Sequence, residues 1–272
     1  MKMDNTISST SLSNISSLGS RLKDLSGTQG RISTGLRINN PKDNSSVFAI
    51  AQQVSGNLSG VTAIKSSLNH AEASVNTAVA AGQAASDLVL EMKSKAIQAN
   101  QPGLDDASRK ALNQEFKQMS DQLNTLTSSA SFNNTNLVQN GAEGVDVLMS
   151  QDGEKFRIEG QDLSPENLGF DNLSLESAEG AAEALDTVNE AIDTVSAAVA
   201  DLGSSASRLE QQAQFTTSLD NVLKEGLGNM VDADLGTETA KNAAEKVKTE
   251  LGLKSLAIAN AGPNAMKSLF PG

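Results

Sequence analysis

The sequence predicts a mainly α protein: a long antiparallel helical bundle or coiled coil built from the N- and C-terminal arms, with a small β-hairpin region in the middle. Three observations predict it. Apolar residues recur at steps of three and four through both halves of the chain and alternate only near its centre. Aromatic content is 3% over 272 residues, with no Trp and no Tyr. Small aliphatic side chains with Ser, Asn and Gln take their place, a composition that suits slender helix-to-helix packing better than a thick sandwich.

The first segment carries Ile15, Leu18, Leu22, Leu25, Ile32 and Leu36, with Gln29 in the one polar slot, which is a heptad seam. Ser, Gly and Asn fill the positions between, so this helix is weak unless a partner covers the seam. Asn39, Asn40 and Pro41 stop it, because the residue before a proline is driven out of the helical region. A second helix starts near Asp43 to Ser46, whose short side chains can cap it. Its spacing runs from Val47 through Ala51, Val54, Leu58, Val61, Ile64, Leu68, Val75 and Val79 to Leu88 and Leu90. A helix of about 55 residues is roughly 80 Å long, which implies an elongated molecule.

"NQPGLDDAS" (100 to 108) reads as a turn, followed by a shorter helix with Leu112, Phe116, Met119, Leu123 and Leu126, and "SFNNTNLVQNG" ends that helix. The period then changes to two: Val145, Val147 and Met149 alternate, Asp152-Gly153 supplies a turn, and Phe156 and Ile158 alternate beyond it, the pattern of a hairpin. Little else between 141 and 176 looks regular. Leu185, Val188, Ile192, Val195, Val199, Leu202, Ala206, Leu209 and Ala213 restore the seam, and Phe215, Leu219, Val222 and Leu227 extend it. After a break around "VDADLGTE" (231 to 238), Ala244, Leu251, Ile258 and Ala265 recur every seven residues, beside Val247, Leu253, Leu256 and Leu269. Gly262 and Pro263 should fray or kink this last helix.

The chain is thus a near-mirror, and each terminal seam finds its simplest partner in the other. The expected division is a terminal coiled coil from 1–38 and 238–272, a long-helix bundle from 39–140 and 177–237, and a short surface segment at 141–176. The breaks at 39–41 and 231–238 should lie side by side.

Charge and chemistry narrow the function by exclusion. The net charge is −12, and residues 141 to 193 carry 14 acidic against two basic side chains, so the flanks balance. An acidic middle without a basic stripe argues against nucleic acid as partner. No segment approaches the roughly 20 apolar residues of a membrane span, and no apolar leader stretch is present, so export, if it occurs, is expected without a cleaved signal. With no Cys there is no thiolate site. His70 stands alone, Asp105-Asp106 and Glu190/Asp193 read as caps or solvated faces, and "QDGEK" is too short for a calcium loop. The sequons at Asn57, Asn133 and Asn172 are of a kind that chance supplies in a Ser- and Thr-rich chain. Neither a catalytic constellation nor a cofactor or metal site is expected. Arg31, Arg37 and Lys42 gather where the first helix stops in "RISTGLRINNPKDN", as a solvated helix end or as an intermolecular contact.

That stretch with "SSVFAIAQQV" resembles the segment of bacterial flagellins that joins the terminal helix to the long helices. "SSASRLEQQAQF" (204 to 215), "NMVDADLGTETA" (229 to 240) and "LGLKSLAIANAGPNAMKSLF" (251 to 270) are similar to the flagellin carboxy-terminal segment. With only about 40 residues between the arms, the chain is most similar to the short flagellins of α-proteobacteria. The resemblance implies an extracellular structural protein that self-assembles into a helical homopolymer, the swimming filament. The terminal coil would line the tube, the long helices form the wall, and the middle face outward. Its implied partners are copies of itself, an export chaperone and the flagellar export apparatus, the filament cap and hook-associated proteins. Subunit-contact candidates are Arg31, Ile32, Leu36, Arg37, Lys42 and Asp43 near the first break. On the last helix they are Val247, Leu251, Leu256, Ile258, Leu269 and Phe270. Arg31 and Arg37 would pair with acidic groups of a neighbour. The flagellin-sensing innate receptor would meet Glu91, Lys95 and Glu115, where a charge reversal and a buried Lys would weaken sensing. A hook–filament junction protein of the same superfamily and a non-polymerising secreted coiled-coil module are the competing readings.

Overall fold

The computed structural model describes residues 9–269. Five helices follow in chain order with two small hairpins: α1 (Ser9–Thr34), α2 (Ser45–Ala99), α3 (Asp106–Ser129), β1 (Ser131–Phe132), β2 (Thr135–Asn136), β3 (Val145–Leu148), β4 (Lys155–Ile158), α4 (Ala178–Val231) and α5 (Leu235–Leu269). Two compact units result. One comprises the described residues of Met1–Gly56 and Val222–Gly272, the other Asn57–Asn221. The division at Gly56 differs from the break at 39–41, because the first turns of α2 pack with the chain ends: Ile38, Ala51 and Val231 form a buried apolar cluster flanked by Leu36, Val47 and Phe48.

In the terminal unit α1 packs against α5. The Arg21 guanidinium donates to the Lys248 carbonyl at 2.7 Å, Asn242 Nδ2 to Thr28 Oγ1 at 3.2 Å, and Arg31 Nε to Glu238 Oε2 at 2.9 Å. Partners descend α5 as they ascend α1, so the two helices run antiparallel. The two breaks are stitched by backbone: Arg37 N donates to Val231 O at 2.7 Å, Ala233 N to Gly35 O at 2.9 Å, and Leu36 bridges Asp232. Gly35 carries the φ of +72° that this reversal demands, and a side chain would resist it.

Caps explain the helix starts. Asn44 Oδ1 accepts from Val47 N at 3.1 Å and opens α2, while Asp43 turns back to accept from Asn39 and Asn40 N–H and closes the Asn-Asn-Pro loop. Asp234 accepts from Gly236 N and Thr237 N and opens α5 at Leu235, so Glu238 lies in the first turn of α5 and not in the break. The fraying expected at Gly262 and Pro263 does not occur, since α5 continues to Leu269.

The second unit packs the rest of α2 and α4 with α3 and both hairpins. Val188, Val195, Leu202 and Leu209, one every seven residues of α4, are fully buried against Leu68, Val75, Ala85, Val89 and Met92 of α2 and Phe116 and Leu123 of α3. Small residues allow close approach: a Cβ on Gly82 would stand 2.8 Å from Val199. The end of α2 is held by the buried Arg109, whose guanidinium donates to the carbonyls of Ala99 and Gln101. The β3–β4 hairpin pairs Val145 with Ile158 and Val147 with Phe156 and turns at Gly153, φ +88°.

Two features escape the sequence pattern. "SFNNTN" forms the hairpin β1–β2, turned by Asn133 and Asn134, both in the left-handed region. The stretch after β4 has no period, yet it buries Leu163, Leu168, Phe170, Leu173 and Leu175, with Phe170 edge-on to Phe116 at 6.1 Å. Loop carbonyls and side chains hold it there: Leu163 N donates to Val138 O, and Leu175 N to Asn113 Oδ1.

Candidate assembly surface

On α5 the residues covered by α1 are Glu238, Asn242, Glu245, Thr249, Gly252 and Leu256, a run of threes and fours that is largely polar. Its partners on α1 are Leu18, Arg21, Leu25, Thr28 and Arg31, which supply hydrogen bonds and, at Leu18, an apolar contact close to Gly252. This corrects the expectation that each terminal seam covers the other on the α5 side, since Leu18 and Leu25 of the α1 seam do face the contact while the α5 heptad does not. The heptad residues Ala244, Leu251 and Ile258, with Val247, lie on the far side of α5 from α1, at 100° per residue. Val247 is 57%, Leu251 59% and Ile258 75% exposed. On α1, Ile15 and Leu22 are likewise half-exposed. Arg21, Thr28 and Arg31 complete hydrogen bonds in the intrachain contact.

The basic cluster at the first break is used inside the chain. Arg31 pairs with Glu238, whose side chain is only 8% exposed and which also meets Lys241 Nζ at 3.1 Å. Burial pushes the Glu238 carboxyl up, but hydrogen bonds and charge from Arg31 and Lys241 outweigh it and hold the group below the ordinary glutamate value. Arg37 donates to the Met230 carbonyl at 2.8 Å. Both guanidinium groups thus have partners in their own chain, and an acidic group of a neighbour is not needed to satisfy either. Leu36 packs on the Ile38–Val231 cluster and Ile32 is half-buried. Lys42 is exposed and Asp43 holds the loop. Leu256 is half-buried, Leu269 lies in α5 with its side chain undescribed, and Phe270 lies outside the described residues.

On α2, Glu91 is exposed, and Lys95, its side chain 23% exposed, reaches Glu115 Oε2 on α3 with its Nζ at 2.5 Å. A lysine tethered at its tip packs its stem on the helix surface and keeps its head wet.

Among the described residues no group of three His, Asp or Glu is placed to hold a metal ion, and no helix is long and apolar enough to cross a membrane. His70 is exposed, its ring 6.5 Å from that of Phe132. Asp105 caps α3, accepting from Ser108 N at 2.8 Å, and that hydrogen bond, with the Ser108 hydroxyl, lowers its carboxyl below the usual range.

Comparison with known proteins places this geometry. The bacterial flagellin N-terminal helical region matches residues 5–142, and the bacterial flagellin C-terminal helical region matches residues 185–270. Flagellin FljM of Caulobacter vibrioides is 33% identical over 257 residues, 94% of each chain. The flagellin of Brucella melitensis is 29% identical over 279 residues, covering 97% of this chain and 98% of that one. Two solved structures share the fold. Bacillus cereus flagellin does so at TM-score 0.50 and 20% identity, over 54% of this chain and 86% of its own. A putative flagellar hook-associated protein from Vibrio parahaemolyticus does so at TM-score 0.58 and 12% identity, over 70% and 100%.

Proposed function

The chain belongs to the bacterial flagellin family, and we propose that it builds its polymer through the outward apolar stripe of α5, with Ile15 and Leu22 of α1. As a flagellin it is a structural subunit of the extracellular flagellar filament, and neither the junction protein nor a soluble module is favoured over that. The observation that carries the proposal is the exposure of Val247, Leu251 and Ile258 on the face of α5 that α1 leaves bare. Full burial of such side chains contributes about 1.5–3 kcal/mol each, and further copies of the chain can cover them at every subunit of a polymer.

The finer roles follow. Residues 1–38 and 238–272 form the inner coil, 39–140 and 177–237 the wall, and 141–176 the outer surface; the acidic excess of 141 to 193 supports that last placement. An export chaperone covers the α5 stripe before assembly, the export apparatus delivers the chain without cleavage of a signal, and cap and hook-associated proteins meet the filament ends. The stripe's exposure supports a need for such cover.

Seeded growth followed by electron microscopy tests the stripe. Wild-type protein should elongate filament seeds into tubes, and Leu251→Asp should stop elongation while leaving the helical signal of the monomer unchanged. Elongation by Leu251→Asp at the wild-type rate would remove the stripe from the interface.

A second expectation concerns the innate receptor. Lys95 offsets the Glu115 charge within the chain, which favours weak sensing. In a receptor reporter assay Lys95→Leu should raise the response above wild type, and equal, strong activation by both proteins would refute weak sensing.

A further inference from the structure

The irregular segments on either side of the β3–β4 hairpin are tied together, and the tie falls on the one Asn-Gly pair of the chain, Asn140-Gly141. Gln161 N donates to Leu137 O at 2.6 Å, Leu163 N to Val138 O at 3.1 Å, and Ala142 N closes a turn on Gln139 O at 3.1 Å. At the tip of that turn Gly141 has a φ of +65°, which glycine takes freely. Its N–H donates to Asp162 Oδ2 at 3.0 Å, while Asp162 Oδ1 accepts from Ser164 N at 3.0 Å. The Asn140 side-chain amide donates from Nδ2 to Glu166 Oε2. An ionised carboxylate accepts and does not donate, so the Asn140 amide has its nitrogen toward Glu166. Asn140, Gly141 and Glu166 are exposed, and nothing lies within 4 Å of where a Gly141 Cβ would stand, so bulk does not shield the pair.

An asparagine followed by glycine is prone to lose its side-chain amide, because the next backbone nitrogen has no side chain to hinder it. The Gly141 nitrogen would give up its proton and bond to Asn140 Cγ, the Cγ–Nδ2 bond would break, and ammonia would leave with that nitrogen and a proton. Water would then open the cyclic imide to aspartate or isoaspartate. Negative charge must develop on the Gly141 nitrogen and on Asn140 Oδ1, and Nδ2 must gain a proton. In this fold both nitrogens face carboxylates instead. Like charge beside the reacting atoms disfavours the anion, and attack would break two charge-assisted hydrogen bonds.

We propose that Asn140-Gly141 is a latent deamidation site, held shut in the folded chain by the Asp162 and Glu166 carboxylates and open in the unfolded one. The change is one-way in its effect. The product carries a carboxylate where the Asn140 amide had donated, so it faces Glu166 as acceptor against acceptor, and a chain that reacts before folding lacks this tie.

Peptide mass spectrometry that separates aspartate from isoaspartate reads conversion at Asn140 in full-length protein aged in mildly alkaline buffer. Folded wild type should convert more slowly than the same protein in denaturant by at least about tenfold, the factor that one charge-assisted hydrogen bond commands. Asp162→Ala should raise the folded-state rate by roughly tenfold, and Glu166→Gln, which keeps an acceptor but removes the charge, by a smaller factor. Circular dichroism checks that both variants fold, and the exposed Glu166 decides alone if Asp162→Ala does not. Equal conversion of folded and unfolded wild type overturns the protection. Slower conversion in Asp162→Ala makes Asp162 a base that takes the Gly141 proton and overturns the shield, and folded variants that react at the wild-type rate remove the carboxylates from it. Asn140→Asp, which mimics one product, should melt below wild type at neutral pH, and equal melting overturns the loss of the tie.

Discussion

Glu238 is the residue on which the terminal pair turns, because it is buried, charged and shared between Arg31 and Lys241. Its carboxyl is held below the ordinary value of 4.5, so the folded state binds its proton less readily than the unfolded chain. The stability it contributes is complete above about pH 4.5 and is lost as pH falls through the depressed folded value. Thermal melts followed by circular dichroism should show wild-type stability falling over that acid range. Glu238→Gln should be less stable at pH 7 and show a smaller fall, and parallel pH profiles for the two proteins would show that Glu238 does not set it. The sequence displayed Arg31 plainly, but nothing in its spacing pointed to Glu238, 207 positions away, as the partner. A basic side chain at a helix end looks the same in sequence whether its acid lies in the same chain or in the next.

Among the elements, glycine separates helices that need close approach from those that merely tolerate it. Gly30 of α1 has open space where a Cβ would stand, so Gly30→Ala should stabilise the monomer by roughly 0.5–1 kcal/mol through helix propensity alone. Gly160, just past β4, is pressed against the Ala142 backbone, where a Cβ would come within 2.3 Å of the carbonyl oxygen. Gly160→Ala should destabilise by about 1–3 kcal/mol, since backbone cannot step aside as a side chain can. Denaturant titration reads both, and a gain at Gly160 would contradict the close approach. The long helices and β3–β4 were legible from period and turn residues. The β1–β2 hairpin was not, although its Asn133-Asn134 pair was the available signal. The buried stretch from Leu163 to Leu175 left no periodic trace, because it is held by irregular backbone contacts and not by a repeating face.

For the whole chain the governing fact is apolar surface that the monomer leaves bare in a protein of net charge −12. Assembly driven by covering that surface should accelerate in ammonium sulfate and gain little from sodium chloride at equal ionic strength, because sulfate strengthens apolar burial beyond its screening of charge. Seeded elongation rates measured in both salts decide it, and equal acceleration would point to charge repulsion as the barrier instead. By itself the sequence determined that the chain is helical, where its helices break, that its acid is concentrated in one segment, and which family motifs it resembles. Those features are local or compositional, written in spacing, caps and turn residues over short stretches. Tertiary structure alone decided which face of α5 meets α1 and which is left bare. A heptad announces that an apolar stripe needs cover, but the cover goes to whichever surface satisfies the most groups. Here the hydrogen-bonding face of α5 takes α1 and leaves the apolar stripe bare.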